Sequence, residues 1–514
     1  MEHQKSIADA ALAARINHPP AYAELEDRFR RVYLLHDAIA MLEWDTAAMM
    51  PIGGASARAE QLAALKVTAH EMMCEPRLAD LLSAAESQRG LDAWQSANVR
   101  EMRRAWLHTT ALPGDLVAAR SRAISVAEMH WRDARPANDF RGLLPRLAEV
   151  LRLTREAATI KGERLGVSAY DALLDEYEPG GRAEAIDRLF DDLAQFLPGF
   201  TEQVLAKQAR DGAPLPLQGP FAKDKQQALA IELMRGIGFE FHHGRLDTSH
   251  HPFCGGVPDD VRITTRWDEE DFASGLMGVL HETGHALYER GLPVEWRRQP
   301  VGTARGMSVH ESQSLLIEMQ ACRSRDFIEF LAQKAAATFG GKGRAWSVDN
   351  FYRIYTRVER GLIRVDADEV TYPAHVILRY RLEKAMIAGT LALGDLPVAW
   401  NDGMKALVGV VPSDDRDGCL QDIHWPGGAW GYFPTYTLGA MTAAQLFDAA
   451  RRAHPEIPAR IRDGDFTPLI GWLRAHVHAM GSLLSTSELL TAATGRPLDP
   501  QIFKRHLAER YLER

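Results

Sequence analysis

Cysteine is scarce in this sequence, with four residues in 514, and no two of them form a C-x-x-C pair. That scarcity argues against a disulfide framework and favours reduced thiols in a cytoplasmic protein. No apolar run approaches 18 residues in length, which excludes a membrane-spanning helix. Residues 1–6 lack a charged segment followed by an apolar core, so we also expect no signal peptide.

An excess of positive charge is missing as well. The chain has 60 basic and 69 acidic residues, a formal net charge of −9, and it contains no basic run. This balance argues against a nucleic-acid partner. Hydrophobic residues make up 46% of the sequence and charged residues 25%. This composition is typical of a soluble globular enzyme.

Amphipathic helical patterns fill most of the chain. Apolar residues recur at three- and four-residue spacing with charged faces between them, which is the pattern of helices that bury one side. Predicted helices in the first 210 residues lie at 21–50, 55–73, 92–107, 116–135 and 143–165, and the next lies at 223–237. We therefore predict a mainly α fold.

A Gly- and Pro-rich stretch at 212–220 is the clearest connector. We predict a single domain over 1–514, with an N-terminal helical lobe at about 1–211, this linker, and a catalytic lobe at about 221–514. Residues 261–267 alternate branched apolar and polar side chains, which indicates a short half-buried strand. We expect it to belong to a small antiparallel sheet.

The most informative motif is H-E-x-x-H at 281–285, inside an apolar run. On a helix, His281 and His285 project from one face about one turn apart, so both imidazoles can reach one zinc ion. Glu282 lies where it can act as general base on a metal-bound water. The alternative is a chance match in a non-catalytic helical scaffold.

The helix that carries this motif has recognisable ends. Asp268 can cap its first turn, which is acidic, and Gly291 followed by Pro293 can end it. Apolar residues at 276, 279, 280, 286 and 287 mark a buried stripe. We therefore expect both histidines to lie deep in the fold.

A catalytic zinc site needs a third protein ligand. The extended motif H-E-x-x-H-x-x-G-x-x-H is excluded, because Tyr288 and Gly291 occupy its Gly and His positions. A carboxylate from a later helix remains, and Glu311 is the candidate, with Glu318 as the second choice. The spacing leaves open that Ser308 and Glu311 form only a helix capping box.

Five motifs in order resemble those of the thermostable-type metallocarboxypeptidases of peptidase family M32. They are D-x-R-x-T at 260–264, H-E-x-x-H at 281–285, H-E-S-Q at 310–313, I-R-x-x-A-D at 363–368 and G-x-x-Q-D-x-H-W at 418–425.

The resemblance implies a large, helical, gluzincin-like fold with a long deep groove. It implies one Zn²⁺ or Co²⁺ per chain, held by His281, His285 and Glu311, with Glu282 as catalytic base. It also implies a homodimer that removes single C-terminal residues from peptides with broad specificity. The His₂Glu donor set accepts Mn²⁺ as well.

Such an enzyme must also stabilise the oxyanion of the reaction and recognise the substrate carboxylate, and the sequence offers candidate residues for both tasks. The developing oxyanion needs a hydrogen-bond donor, and His424, assisted by Tyr432 or Tyr436, is the candidate. The alternative for each of these three residues is a half-buried position in the core. A bidentate Arg suits the substrate carboxylate, and Arg364, in its matched motif, is the best candidate.

Each substrate-binding candidate has a structural alternative. Arg364 could form an ion pair with Asp366 or Asp368. Arg262 shares a strand face with Asp260 and could pair with it alone. His251 is the histidine outside the matched motifs that we expect to face substrate. The competing enzyme classes are a metallo-endopeptidase and a dipeptidyl carboxypeptidase.

Overall fold

The structure is a computed structural model that describes residues 20–249 and 251–513. The expectation of no signal peptide concerns residues 1–6, which lie outside this range. The chain is mainly helical, which confirms the predicted fold class. Within the described range, no helix is long and apolar enough to cross a membrane.

The helices in chain order are α1 Pro20–Ala48, α2 Ala55–Cys74, α3 Pro76–Glu86, α4 Ala93–Thr110, α5 Gly114–Ala134, α6 Phe140–Leu165, α7 Ala169–Tyr177, α8 Ala183–Asp211, α9 Lys223–Ile237, α10 Phe272–Gly291, α11 Gly306–Leu315, α12 Arg325–Phe339, α13 Val348–Tyr355, α14 Tyr372–Ala388, α15 Leu396–Leu407, α16 Pro434–Ala453, α17 Ile457–Arg462, α18 Thr467–His476, α19 Thr486–Thr494 and α20 Pro500–Tyr511. A π-helical turn, Leu316–Ala321, continues α11. The strands are β1 Gly244–Thr248, β2 Phe253–Val257 and β3 Asp260–Thr265.

The six predicted helices all form, and their ends follow local chemistry. At α4, the Asp92 side chain accepts from the Gln95 amide at 2.8 Å and the Gln95 side chain accepts from the Asp92 amide at 3.1 Å. This capping box satisfies two amides that the helix itself leaves unpaired. At α5, Pro113 precedes the first helical residue, as its missing amide favours.

The sheet has the order β1-β3-β2 and is mixed. Strand β2 pairs antiparallel with β3, but β1 pairs parallel with β3. The prediction of an antiparallel sheet is therefore wrong for one of its two pairs. The cause is the chain path: it reverses between β1 and β2 and again between β2 and β3, so β3 returns to the direction of β1. Val261 and Ile263 of β3 are buried beneath α10.

Residues 212–220 have no regular secondary structure. The Asn350 side chain holds this stretch through hydrogen bonds to both the amide and the carbonyl of Leu215, at 2.7 and 2.9 Å. The division into two lobes stays a prediction. Buried polar pairs nevertheless join its two sides: Arg305 to Glu101 at 2.7 Å, and Asn98 to Gln299 at 3.0 Å.

Candidate metal centre

The H-E-x-x-H residues lie in the middle of α10. Its N-cap is Asp271, whose carboxylate accepts from the amides of Ala273 and Ser274 at 2.9 and 3.3 Å. The prediction that Asp268 caps this helix is wrong, because the Asp268 carboxylate accepts from the Glu270 amide in the preceding turn. The helix ends at Gly291, as predicted.

Helix α11 brings Glu311 to the two histidines. Its carboxylate Oε2 lies 3.4 Å from His285 Nε2 and 4.0 Å from His281 Nε2. The three ligand atoms all lie within 4.8 Å of one another. Ligands about 2.1 Å from a tetrahedral zinc are separated by about 3.4 Å, so the donor set fits a divalent metal after small side-chain movements.

Two glycines allow this close approach. A Cβ atom on Gly284 of α10 would lie 2.5 Å from the Gln313 carbonyl oxygen of α11. A Cβ atom on Gly439 of α16 would lie 2.9 Å from the Cβ of Glu311. Both distances are shorter than van der Waals contact, so glycine at these positions lets α11 pack tightly between α10 and α16. The capping box considered for Ser308 and Glu311 does not form, because α11 begins earlier, at Gly306.

Hydrogen bonds orient both rings. His281 Nδ1 lies 2.9 Å from Glu318 Oε2, which therefore accepts its proton. His285 Nδ1 lies 2.7 Å from His310 Nδ1, and His310 Nε2 lies 2.8 Å from Glu289 Oε1. With one proton on each ring, His310 donates to Glu289 and accepts from His285. Both metal-facing Nε2 atoms are then left with free lone pairs, the form that metal ligation requires.

The charge balance of the site favours a cation. Burial raises the pKa of Glu311, but the close approach of His285 and the charge of His281 outweigh it and hold that pKa at about 2. Burial lowers the pKa of His285 to about 4. Burial also lowers the pKa of His281, but Glu318, Glu311 and Glu282 together raise it to about 10. The carboxylates that raise the pKa of His281 favour positive charge at this position, which a divalent ion can supply.

Glu282 is buried beside these groups. Burial raises its pKa, with Glu311 adding to the effect, whereas His281 and the backbone amide of Cys254 lower it. Cys254 belongs to β2, so the small sheet closes the side of the site that faces Glu282. A carboxylate with a raised pKa is suited to taking up a proton near neutral pH.

His424, Tyr432 and Tyr436 lie together. His424 Nε2 is 3.1 Å from Tyr436 Oη, and the two tyrosine rings are 5.1 Å apart. Burial raises the pKa of Tyr436 to about 12, and the charge of Glu311 contributes to the increase. Burial, Tyr436 and Glu311 likewise raise the pKa of Tyr432. Both phenols are therefore protonated at neutral pH and can donate hydrogen bonds near the proposed metal ligands.

Arg364 is buried and pairs with neither Asp366 nor Asp368. Its Nε and Nη2 donate to Asp422 Oδ1 at 3.1 and 2.9 Å. Asp368 instead accepts from the amide at the start of α14, Thr371, and from neighbouring backbone. A second buried guanidinium, on Arg379, donates to Asp422 Oδ2 at 2.6 Å. Two guanidinium groups thus share one carboxylate, which leaves a surplus of positive charge.

The other two substrate-binding candidates lie in the sheet region. Arg262 donates to both carboxylate oxygens of Asp260, at 3.0 and 2.6 Å, and lies over the Trp44 ring at 4.6 Å. The alternative considered for it, the Asp260 ion pair, is thus present. His251 is exposed, and its carbonyl accepts from the Ser249 and Thr264 hydroxyl groups at 2.5 and 3.3 Å.

Sequence reasoning missed several neighbours of the site. Arg379 belongs to none of the five motifs. Glu289 carried a usable signal, because it follows His285 by four residues on the same helix face. Glu318 was considered as a ligand, but the structure places it on the far nitrogen of His281, away from the other donors.

Comparisons with known proteins identify the family. Residues 24–511 match the family described as carboxypeptidase Taq (M32) metallopeptidase. The thermostable carboxypeptidase 1 of Thermus thermophilus is 40% identical over 96% of this chain and 98% of its own. The carboxypeptidase 1 of Bacillus subtilis is 31% identical over 95% of this chain and 97% of its own.

Solved structures show the same relationship. Trypanosoma cruzi metallocarboxypeptidase 1 superposes with a TM-score of 0.94 at 41% identity, covering 96% of this chain and 99% of that one. The M32 carboxypeptidase of Deinococcus radiodurans gives a TM-score of 0.91 at 35% identity, covering 96% and 99%. The chain therefore belongs to the carboxypeptidase Taq (M32) metallopeptidase family and is a metal-dependent carboxypeptidase.

Proposed function

We propose that this enzyme removes single residues from the C-termini of peptides with broad specificity, using one divalent ion held by His281, His285 and Glu311. The observation that carries the proposal is the convergence of these three donors within 4.8 Å, with Glu282 buried beside them. The His₂Glu donor set accepts Zn²⁺, Co²⁺ and Mn²⁺, and Zn²⁺ is our first choice.

The ion, when bound, polarises the scissile carbonyl and lowers the pKa of a coordinated water. Glu282 then takes the proton of the attacking water and passes it to the leaving amine. The Tyr436 hydroxyl group, with His424 as its hydrogen-bond partner at 3.1 Å, donates to the oxyanion of the tetrahedral intermediate. Tyr432 supports Tyr436 through ring contact.

Recognition of the free C-terminus falls to Arg364. Asp422 accepts from its Nε and Nη2, and in this proposal the Nη1 amine of the fork donates to a substrate carboxylate. Arg379 adds positive charge behind it, because Asp422 neutralises only one of the two guanidinium groups. Arg262 and His251, which lie in the sheet region, contact the more distant part of the peptide.

We further propose that the enzyme is a cytoplasmic homodimer. All four cysteines are free, which suits a reducing compartment. The dimer rests on the family resemblance, and size measurement in solution tests it.

Peptides with free and amidated C-termini test the exopeptidase function. Incubation of metal-loaded enzyme with both sets, read by mass, should show stepwise loss of one residue from the free acids only. Release of dipeptides indicates a dipeptidyl carboxypeptidase. Equal cleavage of amidated peptides indicates an endopeptidase and contradicts the proposal.

Glu282→Gln tests the catalytic base. We expect kcat to fall by about 10²–10⁴-fold, because the amide cannot take a proton while its shape is preserved. Metal content, measured by elemental analysis, should stay at one ion per chain. A protein that binds no metal, and whose activity Glu282→Gln does not change, indicates a non-catalytic scaffold.

A further inference from the structure

The π-helical turn Leu316–Ala321 lies directly after the helix that carries Glu311. The Cys322 amide donates to the Ile317 carbonyl at 2.8 Å, five residues back, which defines the wide turn. Such turns are rare and occur frequently at functional sites. This one carries Glu318, whose Oε2 lies 2.9 Å from His281 Nδ1.

The carbonyl end of the turn is held by Arg510 on the last helix, α20. The Arg510 guanidinium is buried, donates to the Gln320 carbonyl at 3.0 Å, and also donates to the Met319 carbonyl. Carbonyls at the end of a helix have no partner within it, and a cation there also complements the helix dipole. Arg510 therefore caps the turn from a segment almost 200 residues away in sequence.

Glu369 accepts hydrogen bonds both from Arg510 and from the same turn. It is only 4% exposed and accepts four hydrogen bonds, from Arg510 at 2.8 Å, Gln320 at 2.9 Å, His506 at 2.8 Å and Tyr511 at 3.0 Å. Three of these donors belong to α20 and one to the π turn. Burial raises the pKa of Glu369, but Arg510 and His506 outweigh it and hold that pKa well below its usual range. The carboxylate is thus charged and joins both elements.

Arg323 completes the connection on the metal side. It donates to Glu318 Oε1 at 2.6 Å, so both oxygens of Glu318 are engaged, one by Arg323 and one by His281. Burial lowers the pKa of Arg323, but the charges of Glu318 and Glu369 outweigh it and raise that pKa above its usual range. Arg323 is thus charged and is attracted by a carboxylate of the metal site and by the carboxylate that binds α20.

We propose that Arg510 is a positioning residue for the metal site: by capping the π turn it holds Glu318 against His281 and so fixes the orientation of that ring. The inference rests on the proposed role of His281 as a ligand. Mutation of a residue that hydrogen-bonds to a metal-ligating histidine typically weakens metal binding by about 10–100-fold. Arg510 acts one residue further out, so we expect about a tenfold weakening of metal binding when its side chain is replaced by Met.

The experiment measures the affinity of metal-free protein for Zn²⁺ by competition with a chelator, and the visible absorption of Co²⁺-loaded protein. Arg510→Met should raise the Kd for Zn²⁺ about tenfold and shift the Co²⁺ bands. Arg510→Lys, which keeps a donor and a charge, should recover part of the affinity. Arg505→Met is the matched control, because Arg505 is exposed on the same helix, and should leave both readouts unchanged.

Glu318→Gln closes a double-mutant cycle with Arg510→Met. If Arg510 acts through Glu318, the two losses of affinity are not additive. Additive losses overturn the proposal. So does an Arg510→Met protein whose melting temperature falls while its Kd for Zn²⁺ stays within twofold of the wild type. If Arg510→Met does not fold, Glu369→Gln carries the same expectations. A wild-type protein that binds neither ion overturns the ligand assignment itself, and this proposal with it.

Discussion

At the scale of single residues, buried charges decide what the site can do. The proposed metal ligands are surrounded by carboxylates, whereas the region around Asp422 holds two guanidinium groups for one carboxylate. A peptide C-terminus and a divalent cation thus meet surroundings of opposite sign. In the proposed function, this arrangement orients a substrate with its free carboxylate towards Arg364 and its scissile carbonyl towards the proposed metal ligands.

Arg364→Lys tests the carboxylate site. Lysine keeps the charge but cannot hold Asp422 through Nε and Nη2 while it also binds substrate. Loss of a hydrogen bond to a charged group costs about 1.5–3 kcal/mol, so kcat/KM for free-acid peptides should fall about 10–100-fold, mainly through KM. Steady-state kinetics on a short peptide series measures the change.

Arg360→Lys is the matched control for this prediction. Arg360 lies four residues earlier, is partly exposed, and pairs with Glu202 on the surface. We expect its kinetic constants to match the wild type. A similar loss in both variants contradicts the assignment of the carboxylate site to Arg364.

At the scale of elements, the six helices whose bounds were predicted from sequence all form, but the contacts between elements could not be predicted. Helix α9 begins at Lys223 and ends at Ile237, the same limits that the spacing of its apolar residues predicts. The start of α10 was misplaced because Asp268 and Asp271 are both good caps, and sequence alone does not rank them. The pairing of Arg364 with Asp422 spans 58 residues, and no local pattern encodes a contact at that separation.

Gly284→Ala tests the packing of α10 on α11. The added Cβ would lie 2.5 Å from the Gln313 carbonyl oxygen and 2.6 Å from the Ser314 Cα. Because both contacts are with backbone, the helices must separate, and overpacking of this kind costs about 1–3 kcal/mol. Glu311 moves with α11, so we expect a lower melting temperature and a higher Kd for Zn²⁺.

Gly278→Ala provides the control on the same helix, because nothing lies within 4 Å of a Cβ at that position. Alanine is favoured over glycine within helices by about 0.5–1 kcal/mol, so this variant should be at least as stable as the wild type. If Gly284→Ala behaves like Gly278→Ala, close helix packing is not what brings Glu311 to the histidines.

At the scale of the whole molecule, buried polar groups join the predicted N-terminal lobe to the region of the site. Glu383 on α14 accepts from the Tyr170 hydroxyl group of α7 at 2.6 Å and from the Trp425 indole at 3.2 Å. Trp425 follows His424 directly, so this carboxyl group supports the segment that carries the hydrogen-bond partner of Tyr436, the proposed oxyanion donor. This role of Glu383 could not be predicted from sequence, because an isolated Glu on a helix is normally solvated.

Glu383 should make stability depend on pH. Burial raises its pKa to about 7, from the usual 4.5, although hydrogen bonds from Tyr170, Trp425 and the Gly431 amide lower it. Between these two pH values the folded protein holds a proton that the unfolded chain has released. The contribution of Glu383 to the free energy of unfolding is therefore fully present below about pH 4.5 and is lost as the pH rises to about 7, a change of about 3 kcal/mol.

Glu383→Gln removes this titration while keeping the size of the side chain. The melting temperature of the metal-free variant, minus that of metal-free wild type, should therefore increase steadily from pH 5 to pH 7.5. Glu163→Gln, at an exposed position on α6, should give a difference that does not change with pH. A flat difference for Glu383→Gln as well would mean that this carboxyl group is already ionised throughout the range. The three donors would then outweigh burial, and the link between α7 and the His424 segment would be equally strong in acid and at neutral pH.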